Sequence, residues 1–116
     1  MITDSEFIAA ADRTLAAIGA AIDAAAEASD VDLDWSENDG VLEVECEDGS
    51  KLIVNRHVPN REIWVASRSG GFHFRGADGV WRDTRSGEEL GAALSLLLRD
   101  QAKLAVELGA LAAPKG

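Results

Sequence analysis

Seven carboxylates in the first half of the chain have the spacing to engage cations. Asp23 and Glu27 stand four residues apart in a helical stretch, which puts their side chains about 5–6 Å apart on one face. Asp30, Asp32 and Asp34 alternate with Val31, Leu33 and Trp35, and Glu43 and Glu45 alternate with Leu42, Val44 and Cys46. Carboxylate oxygens and water suit hard cations. A small dication such as Mg²⁺ holds its oxygens at about 2.0–2.2 Å, whereas strand residues two apart are separated by roughly 6.6 Å. The strand rows therefore converge poorly on one ion, and the helical pair is better placed to share one. Shallow, partly hydrated sites of weak and promiscuous affinity are expected, suited to delivery or sensing rather than to storage or redox catalysis. The competing reading is a solvated acidic face with no specific ligand.

The charge is divided along the chain. Fourteen of the 21 acids fall between Asp4 and Asp48 with Arg13 as the only base among them, while residues 51–116 carry seven acids and ten bases. Such a division narrows the partners to metal cations and cationic proteins. A net charge of -10 argues against nucleic acid and against an anionic membrane, since both need a basic face. The apolar run around Leu94–Leu98 is far too short to span a bilayer. Cys46 is the single cysteine, which rules out an internal disulfide, a CxxC motif and a cluster held by this chain alone. Helix-start chemistry begins at Thr3, so no signal peptide and a cytoplasmic location are expected.

Other residues carry less chemistry. Ile63 and Val65 share one face of a strand and Trp64 the other, so Trp64 looks outward if the aliphatic pair is core. An exposed tryptophan is a good interface anchor; packing across strands is the alternative. Asn55, Asn60 and Arg61 are candidates to join it at a partner surface, or else serve turns and strand edges. His57 and His73 have no HxxxH partner and no cysteine at ligand spacing, and read as surface histidines. Cys46 reads as a buried thiol. Neither glycine pair belongs to a phosphate-binding loop, and no Ser–His–Asp arrangement can be argued.

These residues need a scaffold. Thr3 and Glu6 make a capping box, Ile2 and Phe7 a hydrophobic staple, and Phe7, Ala11, Leu15, Ile18, Ile22 and Ala25 form one apolar stripe of a helix that ends near Ala28. The period then changes to two, in Val31–Trp35, Val41–Glu47, Lys51–His57, Glu62–Ser67, Phe72–Phe74 and around Trp81, with turns at Asn38–Gly40, Asp48–Gly49, Pro59–Asn60, Gly70–Gly71 and Asp78–Gly79. Ser86 and Glu89 predict a second capping box and a helix through about Gly109, with Leu90, Leu94, Leu97, Leu104, Leu108 and Leu111 on one face. The expected fold is α+β: a single domain over 1–116, a two-layer sandwich with the N- and C-terminal helices on one face of a five- to six-stranded antiparallel sheet.

The block Asn55-Arg56-His57-Val58-Pro59-Asn60-Arg61-Glu62-Ile63-Trp64-Val65-Ala66 resembles the central block of the frataxin family. Gly70-Gly71-Phe72-His73-Phe74, Trp81 and Arg85-Ser86-Gly87 continue the resemblance, and Asp4-Ser5-Glu6-Phe7 is similar to the opening of bacterial members. The resemblance implies a non-enzymatic, iron-binding accessory protein of iron–sulfur cluster assembly. It implies weakly bound iron (Fe2+ or Fe3+, replaceable by other divalent cations) on an acidic ridge of the first helix and first strand. It also implies a cysteine desulfurase and an iron–sulfur scaffold protein as partners, with the tryptophan matching Trp64 contributing to partner binding. A monomer is expected, with metal-driven oligomers once repelling ridges are neutralised. The chain departs from the pattern where bacterial relatives often carry ridge acids, at Gly19, Ala20, Ala24 and Ala26. Ile8 likewise stands where relatives often have a histidine. Asp23, Glu27, Asp30, Asp32 and Asp34 remain, and Glu43 and Glu45 are placed to compensate. Two rival readings are an iron(II)-oxidising enzyme, for which no Glu-x-x-His pair speaks, and a metal-independent acidic interaction module.

Overall fold

The computed structural model describes residues 2–114. A 24-residue helix, α1 (Asp4–Glu27), leads into six strands and a second helix. The strands are β1 (Asp34–Asn38), β2 (Val41–Glu45), β3 (Lys51–His57), β4 (Glu62–Ser67), β5 (Gly70–Ala77) and β6 (Val80–Asp83), and the helix is α2 (Leu90–Gln101). The sheet is one antiparallel meander in the order β1-β2-β3-β4-β5-β6. Its helix-side face supplies Leu42, Val44, Leu52, Val54, Ile63, Val65, Phe74 and Trp81 to a core closed by Phe7, Leu15, Ile18, Ile22, Leu94 and Leu98 of the helices. The opposite face is open. This is the expected two-layer sandwich.

Local chemistry explains most element ends. The Thr3–Glu6 capping box is present in both directions. The β1–β2 and β5–β6 hairpins turn through Asp39-Gly40 and Asp78-Gly79, all four with positive φ. That is the geometry that matches strand twist in two-residue loops. At Gly40 the space a side chain would fill is taken by the Arg56 guanidinium.

Four expectations are corrected. The strand expected at Val31–Trp35 starts only at Asp34. Val31 and Leu33 do lean on the core, so the alternation reports burial. They lack a ladder partner, because Asp34 already pairs with Glu45 at the end of β2. The second strand stops at Glu45 rather than Glu47, because Cys46 and Ser50 close a tight turn over Asp48 and Gly49. Ser86 does not cap α2. Glu89 does, accepting from the Gly91 and Ala92 amides, while Ser86 Oγ accepts from Glu88 within the preceding turn.

The second helix ends at Gln101, eight residues before Gly109. Lys103 adopts positive φ, Leu104 N–H returns to the Leu98 carbonyl, and an extended tail runs back along α2. The Leu108 amide donates to Ser95 Oγ and the Leu111 amide to Glu89 Oε2. Ala112 then bridges to Val80 and receives a bond from the Thr14 hydroxyl. Leu104 and Leu111 are buried as helix residues would be, but by tail packing.

The tail crosses α2 at Gly91, where an added Cβ would collide with the Gly109 carbonyl oxygen. Helix propensity alone makes a glycine-to-alanine change favourable by up to about 1 kcal/mol. Overpacking costs about 1–3 kcal/mol and reverses that sign. Gly91→Ala is therefore expected to lower stability by about 1–2 kcal/mol in urea unfolding; an unchanged or raised midpoint would contradict this packing.

Candidate functional site

Two surfaces gather the residues singled out by sequence. The first is the acidic edge where the end of α1, the following connection and β1–β2 meet. Its electrostatics follow from which acids find a base. Lys51 pairs with Glu43 at 3.3 Å, Arg56 with Asp12 and Asp39, Arg61 with Asp4 at 2.6 Å, and Arg68 with Asp48. Bases beyond residue 50 thus reach back to the acids before it. Among the described residues no ion pair reaches Asp23, Glu27, Asp30, Asp32, Asp34 or Glu37, nor Glu45.

The expected site residues fare differently within this edge. Asp23 accepts from the Trp35 indole at 3.3 Å, so one of its oxygens is partly engaged. Glu27, Asp30, Asp32 and Asp34 are open to solvent. Asp30 and Asp32 stand on an irregular connection rather than on a strand, and Asp34 pairs in register with Glu45. Glu43 is drawn to Lys51, which weakens its case as a cation ligand. Among the described residues no three His, Cys, Asp or Glu side chains come together as a metal-holding group. The carboxylates are strung along the edge, and each offers one or two oxygens.

The second surface is the open sheet face. Trp64 points outward, as its strand alternation predicts, with Ile63 and Val65 in the core. It is not alone there. The His57 ring stacks on one face of the indole at 3.7 Å and 9°, and the His73 ring on the other at 4.3 Å and 8°. Sequence reasoning took both histidines as ordinary surface residues. The signal lay in the strand register, Trp64 opposite His73 and Glu62 opposite His57, which hairpin lengths imply but residue spacing does not display. Asn55 lies directly across from Trp64, and Asn60 is exposed in the β3–β4 turn. Arg61 does not join them, being held with positive φ and bonded to Asp4 in the first turn of α1.

Glu62 closes this surface from below. It is 3 % exposed, its Oε1 accepts from Trp64 Nε1 at 2.8 Å, and its Oε2 accepts from Arg75. Burial pushes its carboxyl upward, but the bonds from Trp64 and Arg75 outweigh burial and hold it below the ordinary value of 4.5.

An acidic edge beside an antiparallel meander backed by two helices defines a class, and comparison with known proteins identifies it. Residues 1–104 match the family model for the frataxin-like domain. The chain belongs to that family. It is 51 % identical to the iron-sulfur cluster assembly protein CyaY of Cupriavidus pinatubonensis, over 93 % of this chain and 97 % of that one. Among solved structures it is similar to frataxin from Psychromonas ingrahamii, of the CyaY protein family, at 36 % identity and a TM-score of 0.76, over 92 % and 98 % of the two chains. It is also similar to trimeric frataxin from Saccharomyces cerevisiae in a ferrous complex, at 26 % identity and a TM-score of 0.72, over 81 % and 86 %.

The lowered Glu62 carboxyl has a consequence for stability. A depressed folded-state value contributes stability that is present above the unfolded value and lost as pH falls through the folded one. The stability gap between the parent chain and Glu62→Gln should be widest near neutral pH and shrink below the ordinary value of 4.5. Urea unfolding at a series of pH values measures it; a gap that stayed constant into acid would refute the ionised state of Glu62.

Proposed function

We propose that this chain is a non-enzymatic, iron-binding accessory factor of iron–sulfur cluster assembly, which delivers or senses iron and modulates a cysteine desulfurase through its acidic edge. The observation that carries this reading is the run of solvent-open carboxylates from Glu27 to Asp34, left without basic partners while Asp4, Asp12, Asp39, Glu43 and Asp48 each meet one. Family membership and the printed name of the CyaY relatives support the pathway. The ferrous complex of the yeast neighbour supports the cation.

Physical chemistry suits the role. Spread carboxylates leave most of an ion's coordination to water, so binding is weak and exchange is easy. Neighbouring charges two residues apart on extended chain stand roughly 6.6 Å apart, inside a Debye length of about 8 Å, and repel even in physiological salt. A cation that binds relieves that repulsion and stabilises the fold. A basic patch on the desulfurase is attracted by the same edge, with an affinity that falls as salt rises. The Trp64 face contributes to binding of the desulfurase and the scaffold protein, and the acidic edge supplies the metal dependence.

Iron(II) at tenfold its dissociation constant should add about 1.4 kcal/mol and raise the melting temperature by roughly 5 °C, under anaerobic conditions. The gain should shrink in Asp23→Ala with Glu27→Ala. An unchanged melting temperature in the parent chain would remove the edge as a cation site. Assaying desulfurase activity with and without this protein at several iron levels separates the function from its rivals. Iron-dependent modulation is expected. Modulation indifferent to iron would favour a metal-independent acidic module, and oxygen-dependent iron(II) turnover above the buffer blank a ferroxidase. The double charge reversal Asp30→Lys with Asp34→Lys should abolish salt-sensitive capture of the desulfurase in a low-salt pull-down; undiminished capture would place docking elsewhere.

A further inference from the structure

We propose that Glu62 is the positioning residue of the docking face, fixing Trp64 in its presented orientation before a partner arrives. The inference rests on the reading of the Trp64 face as a docking surface and adds what prepares that surface. Glu62 opens β4 two residues before Trp64, so both side chains stand on the open face. A carboxylate there would ordinarily project into water, yet Glu62 is only 3 % exposed. Its neighbours account for this. His57 on β3 and Arg75 on β5 are its register partners, and His73 Nδ1 lies 3.7 Å from Oε1. Arg82 on β6 stands beside Arg75 in the same row.

The indole is held on three sides. Its polar edge donates to Glu62 Oε1 at 2.8 Å, and its two faces are covered by the imidazoles of His57 and His73. A tryptophan so held keeps little rotamer freedom to lose on binding. Partners that order flexible side chains on association lose affinity to that ordering, and preorganisation removes the loss. Glu62 in turn is anchored by Arg75 through its other oxygen, so the acceptor cannot swing away. The ionised state of Glu62, favoured by both bonds, strengthens the indole bond relative to a neutral acceptor.

A merely structural glutamate and a positioning one differ in what they control. If Glu62 positions, the consequence lies in the ring stack and in association, and an acceptor of the same shape restores both in part. The experiment uses the full chain and compares Glu62→Ala, Glu62→Gln and Trp64→Ala. Proton NMR reads the His57 and His73 ring protons, which the indole ring current shifts upfield. Titration against the purified desulfurase–scaffold complex reads affinity. Glu62→Ala should lose the upfield shifts and weaken association by roughly fivefold, at a salt dependence unchanged from the parent. Glu62→Gln keeps one acceptor oxygen for two donors, the Trp64 indole and the Arg75 guanidinium, and should retain the shifts only in part and fall between Glu62→Ala and the parent in affinity. If Glu62→Ala does not fold, Glu62→Leu fills the same volume without an acceptor and carries the same expectation. Intact ring shifts and parent-like affinity in a folded Glu62→Ala would overturn the proposal. Full affinity in Trp64→Ala would instead count against the docking reading, and the ring shifts alone would then decide whether Glu62 holds the stack.

Discussion

Arg56 brings one positive charge to the place where α1, the β1–β2 turn and β3 meet. Its side chain lies on the helix-side face and is only 19 % exposed. It pairs with Asp12 of α1 and reaches Asp39 at 3.6 Å, its stem packs over Gly40, and its amide donates to the Gly40 carbonyl. The acids of α1 and of the β1–β2 turn, which repel each other, are joined there by a base that β3 itself carries. The end of β3 is also where His57 begins the aromatic stack. The registers that build both surfaces therefore converge on this residue. Asp12 keeps 44 % of its side chain in solvent and Asp39 91 %, so the pairs contribute little Coulomb energy and the worth of Arg56 lies in how its packed side chain fixes the geometry of the junction.

The same logic repeats along the molecule and converts a division along the sequence into a division in space. Lys51, Arg61 and Arg68 each return to an acid of the first half. Those pairs fall on a strand pair, a helix start and a turn respectively. The stretch from Asp23 to Glu37 receives none. Two surfaces of opposite character result. The acidic edge is open, hydrated and loosely arranged, which suits ions that must leave again. The open sheet face is fixed by stacking and hydrogen bonds, which suits a macromolecular contact of defined shape.

How far the sequence was legible depends on what each residue's pattern reports. The Thr3–Glu6 box and the alternation through Leu42, Val44, Leu52, Val54, Ile63 and Val65 report local geometry and one buried face, and both were readable. Alternation at Val31 and Leu33 reports the same burial but not the missing ladder partner, so a strand was expected where an extended connection lies. Leu104 and Leu108 fit a helical period and an extended one alike, since four is a multiple of two; Leu104, Val106 and Leu108 face the core in alternation with the exposed Ala105 and Glu107. Ser86 has capping chemistry, but Glu89 stands nearer the first free amides and takes them. The His57–Trp64–His73 stack and Glu62 depend on register across three strands, which no single segment carries.

The thin helical ridge has a cause in packing. Trp35 sits on β1 across from Val44, on the helix side of the sheet, and its ring lies against Gly19. A Cβ at that position would meet the indole at 2.7 Å. A longer acidic side chain at position 19 is therefore excluded as long as Trp35 occupies the edge. The indole also takes one oxygen of Asp23. Both effects move free carboxylate density away from the middle of α1 and towards Glu27, Asp30, Asp32 and Asp34. Glu27 sits at the end of the helix and Asp30 and Asp32 on an irregular connection, where side chains have more freedom to converge than on a strand, and Asp34 opens β1 beside them. The acids that stay free of the tryptophan are those beyond its reach, from Glu27 to Asp34.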